Sequence, residues 1–75
     1  MINTGEKHLY EWQHGMSGSF YTHLMNAIAK ADVDNRRRLY KAYPEEVEAY
    51  KKFAGKANYW FKLKQKYESE VMGVS

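Results

Sequence analysis

Residues 18–31 read Gly18-Ser19-Phe20-Tyr21-Thr22-His23-Leu24-Met25-Asn26-Ala27-Ile28-Ala29-Lys30-Ala31, and their spacing decides the fold class. Phe20, Leu24, Ala27, Ile28 and Ala31 recur at intervals of three and four, which puts them on one stripe of an α-helix. Ser19 stands where an N-cap belongs, after the loop-like run Gly15-Met16-Ser17-Gly18. Asp32 or Asp34 then interrupts the stripe, and either can cap the next helical segment. From Val33 the pattern resumes through Leu39, Tyr40 and Tyr43, as a second short helix or a bent continuation of the first.

Pro44 sets the next boundary. It disfavours helical backbone at Tyr43 and suits the first position of a new helix, where Glu45 and Glu46 complement the positive end of the helix dipole. That helix is predicted from Pro44 to about Ala54, with Val47, Tyr50, Phe53 and Ala54 on one side and Gly55 as its C-cap. From Ala57 to Met72, residues Tyr59, Trp60, Leu63, Tyr67 and Val71 share one helical arc, and Gly73 ends it. A strand is the rival there, because Lys62, Lys64 and Lys66 alternate with Phe61 and Leu63. Helix is preferred because the pattern continues to Val71 and no second strand exists to pair with.

Upstream, Met1 to Gly15 shows no helical period and only a weak alternation around His8-Leu9-Tyr10-Glu11-Trp12, so it reads as an extended arm or short strand. The expected architecture is all-α: a compact bundle of three to four short helices with an N-terminal extended arm. It forms one domain over residues 1–75, with the arm and Gly/Ser loop at 1–17 and the helical core at 18–73.

A domain of 75 residues buries only about 60% of its unfolded surface, so its stability margin is thin. It has no cysteine to staple it. Ten Leu, Ile and Val are outnumbered by twelve aromatics, seven of them Tyr. Tyr and Trp favour surfaces that are apolar at one end and wet at the other. Once the helical stripes are filled, Trp12, Tyr21, Tyr40 and Phe61 are left seeking partners, which points to a homo-oligomer or a ligand surface, half-buried packing of the aromatics being the alternative. No charged start followed by an apolar run, and no membrane-length apolar stretch, is present, so a cytoplasmic protein without a membrane role is expected.

Charge is segregated. Residues 1–35 carry two basic and four acidic side chains, and residues 36–75 carry ten basic and five acidic. The second half therefore attracts anions. Arg36, Arg37 and Arg38 cannot share a helix face, since successive residues lie about 100° apart. Arg36 falls inside the apolar arc of Val33, Leu39, Tyr40 and Tyr43, where it must snorkel, pair with a carboxylate, or meet an anion or partner.

Backbone N–H groups at the start of the first helix, with Ser17, Gly18 and Ser19, form a second candidate anion site, a plain capped turn being the alternative. The loop lacks the Gly-Lys-Ser/Thr ending of a P-loop and the Gly-x-Ser-x-Gly order of a nucleophile elbow. His8, His14 and His23 match no compact zinc spacing, and no catalytic triad or acid pair is visible. No catalytic residue, metal site or cofactor is expected, and the chain is read as a binding protein. The candidate ligand-binding set is Trp12, His14, Ser17, Gly18, Ser19, Phe20, Arg36, Arg37 and Tyr40. The run Lys62-x-Lys64-x-Lys66 beside Trp60, Phe61 and Tyr67 leaves nucleic-acid binding open as a weaker class.

From Gly18 to Tyr50 the order Gly-Ser-Phe, Leu24, Ala27-Ile28, Lys30-Ala31-Asp32, Asn35, Leu39 and Tyr43-Pro44-Glu45-Glu46-Val47-x-x-Tyr50 resembles a pattern in small proteins of tailed bacteriophages and prophages. The resemblance covers a little under half of the chain. It implies a protein that works in a host cytoplasm by binding something of the host's, including defence components. One mechanism in that setting is a sponge, sequestering an anionic cyclic-nucleotide immune signal on aromatics, arginines and helix N-termini. The other is an inhibitor that docks an aromatic-rich face on a host defence protein such as a CRISPR or other nuclease.

Overall fold

The computed structural model describes residues 1–73. Its regular elements are α1 (Thr4–Gln13), α2 (Ser19–Lys30), α3 (Val33–Ala42), α4 (Pro44–Gly55) and α5 (Tyr59–Glu70). The all-α class is as expected, with five helices in place of three to four. The last two residues of the domain assigned to 1–75 lie outside the described residues.

The additional helix is α1, which stands where an extended arm is predicted. Asn3 caps it: Glu6 N–H donates to the Asn3 side chain at 2.7 Å, and Asn3 N–H donates back to the Glu6 carboxylate at 3.2 Å. This capping box satisfies two backbone donors that would otherwise be orphaned at a helix start. At the other end Gly15 takes φ 67°. Gly15 N–H then reaches Trp12 O at 3.2 Å and Met16 N–H reaches Glu11 O at 2.7 Å, the paired bonds of a Schellman motif. The buried face of α1 is Gly5, Glu6, Leu9 and Tyr10. That spacing is helical, but Gly and Glu occupy half of it, so no apolar period betrays the helix.

Gly5 fixes how α1 docks. A Cβ at this position would overlap the Glu45 carbonyl and crowd Glu46 N–H, so α1 crosses the first turn of α4 backbone against backbone. Two carboxylates are buried at the crossing, Glu6 and Glu46. A buried carboxylate is costly unless its oxygens are paired. Glu6 Oε2 accepts from the Tyr59 hydroxyl at 2.9 Å and Oε1 from Lys66 Nζ at 3.2 Å, tying α1 to α5. Glu46 Oε2 lies 2.7 Å from His8 Nδ1. A carboxylate only accepts, so His8 is the donor. Its ring stacks on Tyr21 of α2 at 3.7 Å between centroids.

Around this crossing Leu9, Leu24, Met25, Ile28, Val47, Ala49 and Leu63 form the core. Phe20, expected in the α2 stripe, is 56% exposed instead. Tyr50, Phe53 and Trp60 are half-buried against the core. The aromatic surplus is absorbed largely at the α1–α5 contact. Tyr10 and Tyr67 stack at 3.8 Å, with the Tyr10 hydroxyl on Glu68 at 3.4 Å and the Tyr67 hydroxyl on Glu11 at 2.9 Å. Burial and these neighbouring carboxylates raise the pKa of both phenols. Of the aromatics expected to lack partners, Trp12 donates Nε1–H to Asn26 at 3.2 Å and Tyr21 covers His8. Tyr40 and Phe61 stay exposed.

The junctions follow local chemistry. The N-cap of α2 is Gly18 and not Ser19, with no side-chain cap bond. Ala31 is extended, and Asp32 accepts from Asn35 N–H at 2.8 Å, so α3 is a separate helix and no bent continuation. Pro44 opens α4 at its first turn, as the sequence predicts. Gly55 is the last residue of α4, and Lys56 takes the cap position. Helix α3 has no buried residue, and α4 is its principal packing partner. Among the described residues no helix is long and apolar enough to cross a membrane.

Gly5→Ala is expected to lower unfolding free energy by about 1–3 kcal/mol, the usual cost of overpacking. Gly55→Ala, with open space around it, raises it by about 0.5 kcal/mol. Urea denaturation of both variants checks the contrast. Burial raises the Glu6 pKa, but the bonds from Asn3, Tyr59 and Lys66 and the Lys66 charge outweigh it, leaving the carboxyl below 4.5. A group lowered in this way stabilises fully above 4.5 and loses its contribution as pH falls through the folded value. Stability measured against pH therefore falls below about pH 4.5, and less steeply in Glu6→Gln.

Candidate functional site

Helix α3 carries Arg36, Arg37 and Arg38 in succession, and the helical turn sends them in three directions. Arg36 is turned inward. Its Nη2 donates to Ala31 O at 3.2 Å and to Ile28 O at 3.4 Å, carbonyls at the C-terminus of α2, the second of which also accepts from Ala31 N–H. A cation belongs there, at the negative end of the α2 dipole. The guanidinium also lies 5.8 Å from the Tyr50 ring centroid. The arginine in the apolar arc thus engages carbonyls through Nη2 and lies by an aromatic face, where the sequence suggests a carboxylate or a ligand. Arg36 Nε has no hydrogen-bond partner among the described residues.

Arg37 faces outward beside a groove of about 380 Å³ between α3 and α4. Val33, Arg36, Arg37 and Tyr40 line its α3 side, and Val47, Glu48 and Lys51 its α4 side. Arg37 Nη1 is 3.6 Å from Asp34 Oδ1, with both side chains largely exposed. Such a pair is worth roughly 0.5 kcal/mol or less and yields to a better anion. The Tyr40 ring is 45% exposed. The groove therefore offers an aromatic face, a short apolar floor, the two exposed cations Arg37 and Lys51, and one carboxylate.

A second notch, of about 440 Å³, lies on the other flank of α3 against the last turn of α2. Its charged lining is Lys30 and Arg38, with Asn35 between apolar Ala27, Ala31 and Leu39. Arg38 Nη1 donates to Asn35 Oδ1 at 3.3 Å.

Of the nine candidate residues, Arg36, Arg37 and Tyr40 share one groove, and the other six do not line it. Trp12 is bonded to Asn26. His14 ends α1, its ring against Tyr10 at 4.2 Å and Trp60 at 5.8 Å. Ser17 O accepts from the Thr22 hydroxyl at 3.4 Å, while Ser17 Oγ is buried with no partner among the described residues. Gly18 and Ser19 are exposed at the start of α2, and Phe20 packs edge-on against Tyr21 at 5.0 Å. Lys51 and Glu48 were not legible as groove residues, because they join Arg37 only through the docking of α3 on α4. Lys30 and Arg38 join likewise through the Asp32 turn.

Among the described residues no cluster of three metal-ligating side chains occurs. Compared with protein-family models, with curated proteins and with solved structures, the chain finds no match.

Arg36→Met is expected to lower stability by about 1 kcal/mol through the loss of two long hydrogen bonds at the α2 terminus. Arg37→Gln stays within about 0.5 kcal/mol of the parent. Thermal and urea unfolding of the two variants measures the difference, and equal losses would contradict the inward role of Arg36.

Proposed function

We propose that the chain is a non-enzymatic binding protein that takes an anionic, nucleotide-type ligand in the α3–α4 groove and so withdraws a signal from a host defence system. The observation that carries this reading is the meeting of the exposed Tyr40 ring with Arg37 and Lys51 in one groove. A base stacks on a phenol face whatever its identity, and flanking cations neutralise its phosphate. Val33, 71% exposed at the edge of the groove, supplies apolar contact for the sugar and base edge. The defence setting comes from the resemblance of residues 18–50 to phage proteins.

A second reading, a protein-binding inhibitor of a host defence protein such as a nuclease, is supported by two features. Glu48 stands inside the groove, and Phe20, Val33 and Phe61 are 56%, 71% and 64% exposed. The same exposed apolar side chains support self-association, which light scattering behind a sizing column measures.

Calorimetric titration with mononucleotides and with cyclic di- and trinucleotides tests the first reading. It is expected to give dissociation constants well below about 1 mM, weakened several-fold by Tyr40→Ala and by Lys51→Gln. Absence of binding across the panel, with a stoichiometric host protein captured from infected lysate, would replace the sponge with the inhibitor.

A further inference from the structure

We propose that the ligand of the α3–α4 groove is an oligonucleotide that crosses α3 and places a second phosphate in the notch between α2 and α3. This rests on the reading of the first groove as a nucleotide site and names the class of ligand it takes. Both depressions share α3 as a wall, the first through Arg37 and Tyr40 and the second through Asn35 and Arg38. The helix between them has no buried residue, and Arg37, Arg38 and Tyr40 are exposed along it.

Charge decides the class of ligand. The second notch is lined by two cations and no acid. Its neighbourhood at the α2 C-terminus, which would repel a phosphate, is already neutralised by Arg36 on the Ile28 and Ala31 carbonyls. Asn35 orients Arg38 through the 3.3 Å bond and keeps its amide donors for an anion. Lys41 adds a further cation on α3 itself. The opposing acids are Asp32, whose side chain is engaged in capping α3, Asp34, paired with Arg37, and Glu48.

A helix with its side chains is about 10–12 Å across, so anions seated on both flanks are separated by about that distance. The phosphates of a nucleoside triphosphate are adjacent and cannot meet both. An oligonucleotide backbone carries its phosphates one nucleotide apart, and a few nucleotides span the helix. Base stacking on Tyr40 and phosphate contacts on each flank then act as linked sites, so the second raises affinity over the first alone.

Titration of the protein with adenosine monophosphate and with a single-stranded hexaadenylate tests this. The hexamer is expected to bind at least about 10-fold tighter than the monophosphate. The double variant Lys30→Gln/Arg38→Gln, both sites being exposed, loses that advantage and leaves monophosphate binding unchanged. The double-logarithmic salt slope for the hexamer falls by about 0.7 in this variant, as the one phosphate contact in the notch is lost from a single strand. A hexamer no tighter than the monophosphate, or a double variant with an unchanged slope, overturns the crossing while the first groove stands. Binding of neither probe overturns the groove reading and this one with it.

Discussion

The close approach of α1 to α4 at Gly5 is the contact on which the rest of the structure depends. With no side chain at that position, the two backbones meet, and the flanking residues Glu6 and Glu46 are carried under the surface. Each then needs a partner from another helix. Glu6 takes Tyr59 and Lys66 of α5, and Glu46 takes His8, which in turn lies on Tyr21 of α2. One steric fact at a glycine thus recruits polar bonds that fix four helices relative to one another. In a chain with few aliphatic residues and no disulfide, those bonds and the Tyr10–Tyr67 stack supply cohesion that a larger core provides elsewhere.

The same arrangement determines what is left for binding. Because α1 occupies the inner side of α4, α3 is held outside the core with α4 as its main support. Its arginines are divided by the helical turn: Arg36 is used to close α2, while Arg37 and Arg38 look onto opposite flanks. The cationic character of the second half of the chain is therefore neither uniform nor placed where the longest lysine run stands. Six cations, Lys30, Arg36, Arg37, Arg38, Lys41 and Lys51, gather on or beside α3 against Asp32, Asp34 and Glu48. The remaining basic and acidic side chains are equal in number.

Much of this was legible in the sequence, for reasons that can be named. The Phe20–Ala31 period, the Asp32 cap and Pro44 each act locally, and the helices they announce are present. Helix α1 was not legible by periodicity, since Gly5 and Glu6 occupy its buried stripe and acquire meaning only from α4 and α5. A signal for it did exist, the Asn3-x-x-Glu6 capping box with Gly15 beyond the far end. At the site, Arg37 and Tyr40 could be singled out by charge and chemistry. Arg36 could be singled out too, but its engagement with the α2 carbonyls depends on the turn at Ala31. Lys51 and Lys30 belong to grooves that exist only after the helices dock.

If α3 is the working surface, α1 and α5 are its support and touch no ligand. Backbone amide chemical-shift mapping during titration with the hexaadenylate tests that division residue by residue. The amides of residues 33–41 and 47–51, with those at the end of α2, are expected to shift progressively and saturate together, while α1 and the lysine-bearing face of α5 stay unchanged. Saturating shifts centred on Lys62, Lys64 and Lys66, or on the loop from Ser17 to Phe20, would contradict it.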